Sequence, residues 1–345
     1  PIFIKESGTT FRLTLGVLAG QGFCSKLVAG PGLSKRPMLR VTAPLRKMGA
    51  QIKAKKLKRE EFPPITIKGA QLRAIKYKMP VASAQVKSAI LLAALYADGV
   101  TEIDEIVKTR DHTERMLKLF GADIEVRQNK ILLKGSRDLV SPGWLNVPGD
   151  ISSAAFFMVL GSIVPHSRLL LHRVSLNPSR TGIFNVLKRM GANIKIIGRS
   201  QENFEPVGDI LVKSSFLKAT AIKKNEIPSL IDELPILMVA AACAKGISIF
   251  HGAGELRVKE TDRIKSMREN LSKMGVKITV SSSNSIKIKG IKELKGAKVK
   301  SFGDHRTAMS MIVAGLCAKG NTEVDDVGCI AKSFPEFLKI LDNLI

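Results

Sequence analysis

The stretch Asp150-Ile-Ser-Ser-Ala-Ala-Phe-Phe, residues 150–157, shows most clearly the pattern that decides the fold. Polar residues stand at its start, and small or apolar residues follow at once. Asp and Ser are favoured at the N-cap of a helix, and an uninterrupted apolar run is typical of a helix buried on all sides. The stretch therefore predicts a loop that leads into a buried helix.

The same pattern occurs five times along the chain. Taking Thr9, Ala84, Ser152, Asp232 and Arg306 as equivalent positions, successive copies are 75, 68, 80 and 74 residues apart. A glycine also ends a second predicted helix in four copies, where the left-handed conformation of the cap favours it. These glycines are Gly49, Gly121, Gly191 and Gly275. With alternating strand candidates such as 168–172 and 246–250 between the helices, each copy predicts a small βαβαββ module.

These modules predict an α/β protein of two domains. We expect residues 1–147 to form one domain from two modules and residues 148–345 to form the other from three, with a crossover at Pro148-Gly149. Five modules are an odd number for two domains built from equal parts. The spacing therefore leads us to expect a sixth module upstream of Pro1, which stands where a methionine would begin a gene product.

The chain is strongly basic, with 55 Lys+Arg against 30 Asp+Glu and a net charge of +25 over 345 residues. Such a charge favours anionic partners, either nucleic acid or small substrates. Aromatic residues, which stack on single-stranded bases, make up only 5%. The lysines are scattered apart from the cluster 53–59. The composition thus favours a basic cleft for small anions over nucleic-acid binding.

Membrane insertion and disulfide bonding are both disfavoured by the sequence. The longest apolar runs, 154–165 and 234–244, are shorter than the ~18 residues of a membrane span. The four cysteines contain no CxxC pair, so we expect reduced thiols in a cytoplasm. They are Cys24, Cys243, Cys317 and Cys329.

Charged and polar residues recur at the loops that enter the predicted helices. If equivalent ends of the modules pack together, their helix N-termini converge, and helix N-termini favour phosphate and carboxylate groups. Arginines that grip planar anions, beside carboxylates that can move protons, indicate transfer chemistry on an anionic substrate. The candidates are Arg12, Lys35, Arg36, Ser83, Gln85, Arg110, Lys259, Arg263, Arg306 and Lys332, with the carboxylates Asp232 and Glu260.

Several common catalytic signatures are absent from the sequence. It contains no Walker motif, no GxGxxG and no GxSxG elbow. The five histidines show no metal-ligand spacing, so we expect neither a metal nor a cofactor. The loop 30–35, Gly-Pro-Gly-Leu-Ser-Lys, predicts a plain turn.

Ten short strings, spread in order over the whole chain, resemble the 5-enolpyruvylshikimate-3-phosphate (EPSP) synthase family. The Ser-Ala-Gln and Arg-Asp-His-Thr forms look more like its bacterial class II-type branch. The strings are Ser7-Gly-Thr-Thr-Phe-Arg-Leu, Lys35-Arg-Pro-Met, Pro44-Leu-Arg-Lys-Met-Gly-Ala, Val81-Ala-Ser-Ala-Gln-Val-Lys, Thr109-Arg-Asp-His-Thr-Glu-Arg, Pro148-Gly-Asp-Ile-Ser-Ser-Ala, Ile231-Asp-Glu, Leu256-Arg-Val-Lys-Glu-Thr-Asp-Arg, Gly303-Asp-His-Arg and Cys329-Ile-Ala-Lys-Ser-Phe-Pro.

The resemblance implies two domains of three modules each, with the active site in the cleft between them. It implies transfer of the enolpyruvyl group of phosphoenolpyruvate to the 5-hydroxyl of shikimate-3-phosphate, through a tetrahedral intermediate and without metal. Asp232 would hold the attacking hydroxyl as the candidate base, and Glu260 would protonate the methylene carbon. The implied shikimate-3-phosphate ligands are Ser83, Ala84, Gln85, Arg110, Asp232 and Lys259. The implied phosphoenolpyruvate ligands are Gly8, Arg36, Gln85, Arg263, Arg306 and Lys332.

The chain departs from the family pattern in two places. The Gly-Ser-Lys-Ser…Arg segment of the family's first module would fall before residue 1, which implies impaired activity for this chain alone. Glu6 stands where the family usually has Asn, and a carboxylate there would repel phosphoenolpyruvate unless it is paired. Gly8 implies sensitivity to glyphosate.

Three alternatives stay open from sequence: a UDP-N-acetylglucosamine enolpyruvyl transferase, a non-catalytic anion-binding fragment and an RNA-binding protein. We expect a monomer that binds two small substrates, without nucleic-acid or membrane partners. Structural rather than catalytic roles are expected for Ser152, Ser153, His305 and Cys329.

Overall fold

One strand order recurs along the chain in the computed structural model, which describes residues 1–135 and 138–344. In the first module, β1 pairs parallel with β2, and β2 and β3 both pair antiparallel with β4, in the order β1-β2-β4-β3. Its elements are β1 (Ile2–Ile4), α1 (Gly8–Ala19), β2 (Cys24–Ala29), α2 (Leu39–Met48), β3 (Gln51–Leu57) and β4 (Glu60–Lys68).

The second module repeats this order as β6-β8-β10-β9. A short parallel pair, β5 with β7, precedes and follows its first helix. The elements are β5 (Leu72–Arg73), β6 (Lys76–Lys78), α3 (Ala84–Ala94), β7 (Ala97–Asp98), β8 (Val100–Asp104), α4 (His112–Leu119), β9 (Asp123–Arg127) and β10 (Lys130–Lys134).

The third module has the order β11-β13-β12, and Gly149 bridges Val174 in parallel where a first strand would lie. The fourth has the full order β14-β15-β17-β16. The elements are α5 (Ile151–Ile163), β11 (Arg168–Ser175), α6 (Gly182–Arg189), β12 (Asn193–Glu202), β13 (Glu205–Lys213), β14 (Ala221–Ile222), α7 (Leu234–Ala242), β15 (Ile247–Phe250), α8 (Arg263–Lys273), β16 (Lys277–Val280) and β17 (Ile286–Lys289).

The fifth module contains two short parallel pairs, β18 with β20 and β19 with β21. Its elements are β18 (Leu294–Lys295), β19 (Lys298–Val299), α9 (His305–Leu316), β20 (Ala318–Lys319), β21 (Glu323–Val324) and α10 (Phe337–Asp342). The predicted strand–helix–strand–helix–strand–strand module is thus confirmed in the first, second and fourth modules. The third has an isolated bridge in place of its first strand, and the fifth has two short parallel pairs in place of the four-stranded sheet.

The predicted glycine caps are also confirmed. Gly49, Gly121, Gly191 and Gly275 follow the second helices with φ of 118°, 80°, 86° and 93°, a region that side chains with a Cβ rarely adopt. Each glycine lets the chain turn from helix into strand, so the module can repeat.

The chain divides into two units, Pro1–Leu145 and Asn146–Ile345, each with its own hydrophobic cluster. In the first unit α1 packs against α3, and in the second α5, α7 and α9 contact one another. Every residue of α7 is buried, as its unbroken apolar sequence requires. Among the described residues, no helix is long and apolar enough to cross a membrane.

Candidate functional site

In the second unit, the starts of α7, α8 and α9 bring charged side chains together. Asp232 precedes α7, Arg263 is the first residue of α8, and Asp304 is the N-cap of α9, accepting from the N–H of Arg306 at 2.8 Å. The predicted convergence of helix N-termini therefore occurs within this unit.

Arg263 is the centre of this group and is almost fully buried. Its Nε lies 2.8 Å from Asp304 Oδ2, its Nη2 2.6 Å from Glu260 Oε2, and its Nη1 3.4 Å from Asp232 Oδ1. We call these four residues the Arg263 cluster. Burial by itself lowers the pKa of Arg263, but the surrounding carboxylates together outweigh burial and raise it. The guanidinium is thus a permanent buried cation.

Asp232 is contacted by a second cation, because Lys259 Nζ lies 3.3 Å from its Oδ1. Arg306 Nη1 donates to the backbone carbonyl of Asp232 at 3.0 Å. Three cationic side chains therefore contact Asp232, two at its carboxylate and one at its backbone carbonyl. They are the three that the sequence assigned to anion binding in this unit together with Lys332.

Lys332 is placed differently. It ends a short 3-10 turn, Gly328–Lys332, that packs against α9, and its side chain is exposed. Within residues 1–135 and 138–344, no ion pair joins Lys332 to the Arg263 cluster.

In the first unit, α1 and α3 bring together Arg12, Gln85 and Thr9. Arg12 Nη1 donates to Gln85 Oε1 at 2.6 Å, and Gln85 Nε2 donates to Thr9 Oγ1 at 2.7 Å. Ser83 is the N-cap of α3, and Ala84 is that helix's first residue. The predicted phosphate-side residues therefore stand at a helix N-terminus.

Gly8, the first residue of α1, lies directly against two guanidiniums. A Cβ built at Gly8 would come within 2.9 Å of Arg12 Nη1 and of Arg36 Nη1. Real Cβ atoms essentially never approach so closely, so the absent side chain is what lets both arginines sit here.

A buried lysine holds the loop that carries Arg110. Lys87 Nζ, fully buried on α3, lies 2.6 Å from Glu114 and 3.2 Å from Glu105. Glu105 in turn accepts from the backbone N–H of Thr109, the neighbour of Arg110, at 3.1 Å. We call Lys87, Glu105 and Glu114 the Lys87 cluster; burial raises the pKa of Glu114.

Sequence reasoning gave no role to Lys87, Glu233 or Arg180. Glu233 is fully buried beside Asp232, accepts a hydrogen bond from Ser152, and lies 3.8 Å from Arg306. Arg180 donates to Ser152 and to Asp150. A signal existed for the first two, because each is a charged residue inside an otherwise apolar helix or helix start. The loop 177–181 offered none for Arg180.

Two residues expected to be structural are buried to different degrees, His305 in part and Cys329 almost fully. Burial, together with the charge of Arg306, lowers the pKa of His305. Cys329 is buried, and burial raises the pKa of its thiol.

A cavity of about 600 Å³ lies elsewhere, at the C-terminal ends of α1 and α3. Its lining includes Gln21, Tyr96 and Leu139, and none of the predicted site residues. Within the first unit, it lies at the opposite ends of α1 and α3 from Gly8 and Ser83.

Solved structures define the class of the fold. The enolpyruvyl transferase NikO from Streptomyces tendae matches with a TM-score of 0.75 at 15% identity, over 96% of this chain and 74% of that one. EPSP synthase from Acinetobacter baumannii matches with a TM-score of 0.86 at 43% identity, over 99% and 78%. The fold is that of the enolpyruvyl transferases.

Sequence comparison narrows the class to one family. The profile described as EPSP synthase (3-phosphoshikimate 1-carboxyvinyltransferase) matches residues 1–341. Proteins named 3-phosphoshikimate 1-carboxyvinyltransferase from Citrifermentans bemidjiense and Petrotoga mobilis are each 49% identical, over 99% of this chain and 78% of their own length. The chain belongs to the EPSP synthase family.

Proposed function

We propose that the residues gathered in the two units carry out the reaction of this family, enolpyruvyl transfer from phosphoenolpyruvate to the 5-hydroxyl of shikimate-3-phosphate with release of phosphate. The observation that carries the proposal is the Arg263 cluster. It places a permanent cation within 3.4 Å of Asp232 and within 2.6 Å of Glu260, the two carboxylates assigned to proton transfer.

Asp232 acts on the attacking hydroxyl. Lys259 and Arg263 hold its carboxylate in place. A base fixed in this way can take the proton of the hydroxyl without first having to reorient. The hydroxyl oxygen then bonds to C2 of phosphoenolpyruvate, and Glu260 gives a proton to C3. Reversal of the proton transfer at C3, with cleavage of the bond from C2 to the phosphate oxygen, releases phosphate and restores the double bond.

The remaining residues bind the two anions. Phosphoenolpyruvate is proposed to contact Gly8, Arg36, Gln85, Arg263, Arg306 and Lys332. Shikimate-3-phosphate is proposed to contact Ser83, Ala84, Gln85, Arg110, Asp232 and Lys259. Planar guanidiniums bind carboxylate and phosphate through two parallel hydrogen bonds, which suits both substrates.

The test measures phosphate release with both substrates present. Asp232→Asn and Glu260→Gln should each lower kcat by about 10²–10⁴-fold, since each removes a proton-transfer group. Glu269→Gln is the matched control, because Glu269 lies on α8 in an exposed pair with Lys265. Full activity in both site variants would contradict the proposed roles.

Substrate replacement separates the neighbouring transferase reaction. The proposal expects phosphate release with shikimate-3-phosphate and none with UDP-N-acetylglucosamine as acceptor. Phosphate release with UDP-N-acetylglucosamine but not with shikimate-3-phosphate would show that the chain catalyses the neighbouring reaction instead.

Gly8 provides a prediction about glyphosate. We expect glyphosate to compete with phosphoenolpyruvate, and Gly8→Ala to weaken inhibition, because the new Cβ would push Arg12 and Arg36 out of their positions. The measurement is the inhibition constant against phosphoenolpyruvate in wild type and variant. Equal inhibition of both would contradict the prediction.

We also propose two domains at 1–147 and 148–345, a monomeric state and a cytoplasmic location. The division into units at Leu145 and Asn146 supports the first. The four free cysteines support a reducing compartment.

Light scattering tests the monomeric state. A mass near 37.5 kDa would support the monomer, and twice that mass would contradict it.

A further inference from the structure

Glu6, the carboxylate expected to repel phosphoenolpyruvate unless paired, is paired with backbone. Its Oε1 accepts from the N–H of Gly32 at 3.1 Å, and its Oε2 accepts from the N–H of Leu33 at 2.8 Å. A carboxylate that accepts two N–H groups makes stronger hydrogen bonds than a neutral acceptor. Glu6 thereby holds the start of the 3-10 turn Leu33–Lys35.

Two glycines, Gly30 and Gly32, lie directly against this carboxylate. A Cβ at Gly30 would lie 2.2 Å from the backbone carbonyl oxygen of Lys5 and 2.7 Å from Glu6 Oε1, and a Cβ at Gly32 would lie 2.6 Å from Glu6 Oε2. All three distances are shorter than real Cβ contacts. The predicted plain turn therefore packs closely against residues 5 and 6, and at Gly32 it packs against the Glu6 side chain from 26 residues away.

The segment held by Glu6 ends at Arg36. The N–H of Arg36 donates to the carbonyl of Leu33 at 3.0 Å. The position of Leu33 therefore fixes the position of the Arg36 backbone. The guanidinium of Arg36 then lies against Gly8, two residues after Glu6. One short stretch, residues 6–8, thus contacts both ends of the segment 32–36.

We propose that Glu6 is a positioning residue that fixes the segment 32–36 and directs Arg36 toward phosphoenolpyruvate. The inference rests on the proposed function, in which Arg36 binds that substrate. It gives Glu6 a role in affinity for one of the two substrates, and none in the chemical step.

The first variant is Glu6→Gln. Glutamine keeps one acceptor oxygen but turns an NH₂ group toward a backbone N–H, so one hydrogen bond is lost. The KM for phosphoenolpyruvate should rise about tenfold, while the KM for shikimate-3-phosphate stays within about twofold. Glu125→Gln is the control, since it removes the same charge from an exposed pair with Arg127.

The second variant is Gly32→Ala, which displaces the carboxylate without touching Glu6 in sequence. Gly32 has φ −70° and ψ −44°, which alanine adopts without strain, and the three atoms nearest its Cβ all belong to Glu6. Gly32→Ala should therefore raise the KM for phosphoenolpyruvate like Glu6→Gln. Glu6→Ala removes the carboxylate that the new Cβ at residue 32 would contact. The double variant Glu6→Ala with Gly32→Ala should therefore have the same KM for phosphoenolpyruvate as Glu6→Ala alone.

Three outcomes overturn the proposal. These are an unchanged KM in both single variants, additive effects in the double variant, and a lower KM in Glu6→Gln, which would mean that the charge repels the substrate. Amide hydrogen exchange at Gly32 and Leu33, measured in wild type and Glu6→Gln, tests the anchor without activity. An inactive wild type would contradict the proposed function, while unchanged exchange would still contradict the anchor.

Discussion

The Arg263 cluster and the Lys87 cluster contain the same kinds of groups but differ in how far they open to solvent. Each has one buried cation and more than one carboxylate. In the Lys87 cluster, the lysine is 0% exposed and both glutamates are 5% exposed. In the Arg263 cluster, Asp304 is fully buried, whereas Asp232 is 16% and Glu260 35% exposed.

From this difference we infer which buried charges bind substrate and which hold the fold. A closed cluster has no room for a further anion, so its charges can only fix the segments that carry them. In the open cluster, the exposed carboxylates of Asp232 and Glu260 are accessible to a reactant beside the buried guanidinium. We infer that the closed cluster positions the loop of Arg110 and that the open cluster binds a reactant.

The largest effect is expected for Arg263→Met. The variant leaves Asp304 buried without its cation, and breaking a buried pair costs about 3–5 kcal/mol of unfolding free energy. Phosphate release should fall at least about 10²–10³-fold, the usual cost of one lost anion-stabilising donor. Urea unfolding and the phosphate assay measure the two losses separately.

Arg263→Lys sharpens this prediction. A lysine keeps the positive charge but has one compact ammonium, which cannot replace a guanidinium that contacts Asp304 and Glu260 through different nitrogens. Stability should recover in part while activity stays low. As a control, Arg173→Met removes a surface arginine paired with Glu202 and should cost about 0–1 kcal/mol. Equal losses in Arg173→Met and Arg263→Met would contradict the comparison.

The second-largest effect is expected for Lys87→Met, which tests the closed cluster. Two buried carboxylates lose their cation, so unfolding free energy should fall by about 3–5 kcal/mol. Lys76→Met is the control, because Lys76 is 86% exposed and 3.9 Å from Glu102, and solvent screens such an exposed pair, so its loss should hardly change the unfolding free energy.

The double variant Lys87→Met with Glu114→Gln should recover part of the loss, since one of the two uncompensated charges is gone. Where the variants fold, the KM for shikimate-3-phosphate should rise more than that for phosphoenolpyruvate, because Glu105 holds Thr109 beside Arg110. If only the KM for phosphoenolpyruvate changed, the proposed link between the Lys87 cluster and the loop of Arg110 would be contradicted.

The repeated module was predictable from sequence because it depends on local rules. Polar N-caps, apolar helices and glycine caps each act over a few residues, and their spacing revealed five copies. The partners within the clusters were harder to predict, because they lie far apart in the sequence: Arg263 and Asp304 are 41 residues apart, and Glu6 and Gly32 are 26 apart.

Local patterns place such residues on a helix or a turn but leave their partners across the core undetermined. Lys87, like Glu233, did carry a signal, since a lysine inside the apolar helix Ala84–Ala94 requires a buried carboxylate. The assignment of Asp232, Glu260 and the arginines came from the family resemblance, and the structure then brought most of them together within each unit.

The smallest effect concerns the pH dependence of the closed cluster. Burial raises the pKa of Glu114 in the folded protein above its unfolded value. The folded state therefore binds this proton more readily, and the stability that Glu114 contributes is present at low pH and lost as pH rises through the folded pKa. Glu114→Gln is neutral at every pH, so the unfolding free energy of wild type minus that of the variant should decrease as pH rises from about 4 to 7.

Glu125→Gln supplies a control of opposite sign. The hydrogen bond from Arg127 lowers the pKa of exposed Glu125, so its contribution is present above the unfolded pKa and lost as pH falls. Its wild-type-minus-variant difference should rise slightly with pH, because solvent screens an exposed pair. Urea unfolding of the three proteins across this range measures both slopes. Slopes of the same sign would mean that the Lys87 cluster is as open to water as the surface, and the distinction between the two clusters would fail.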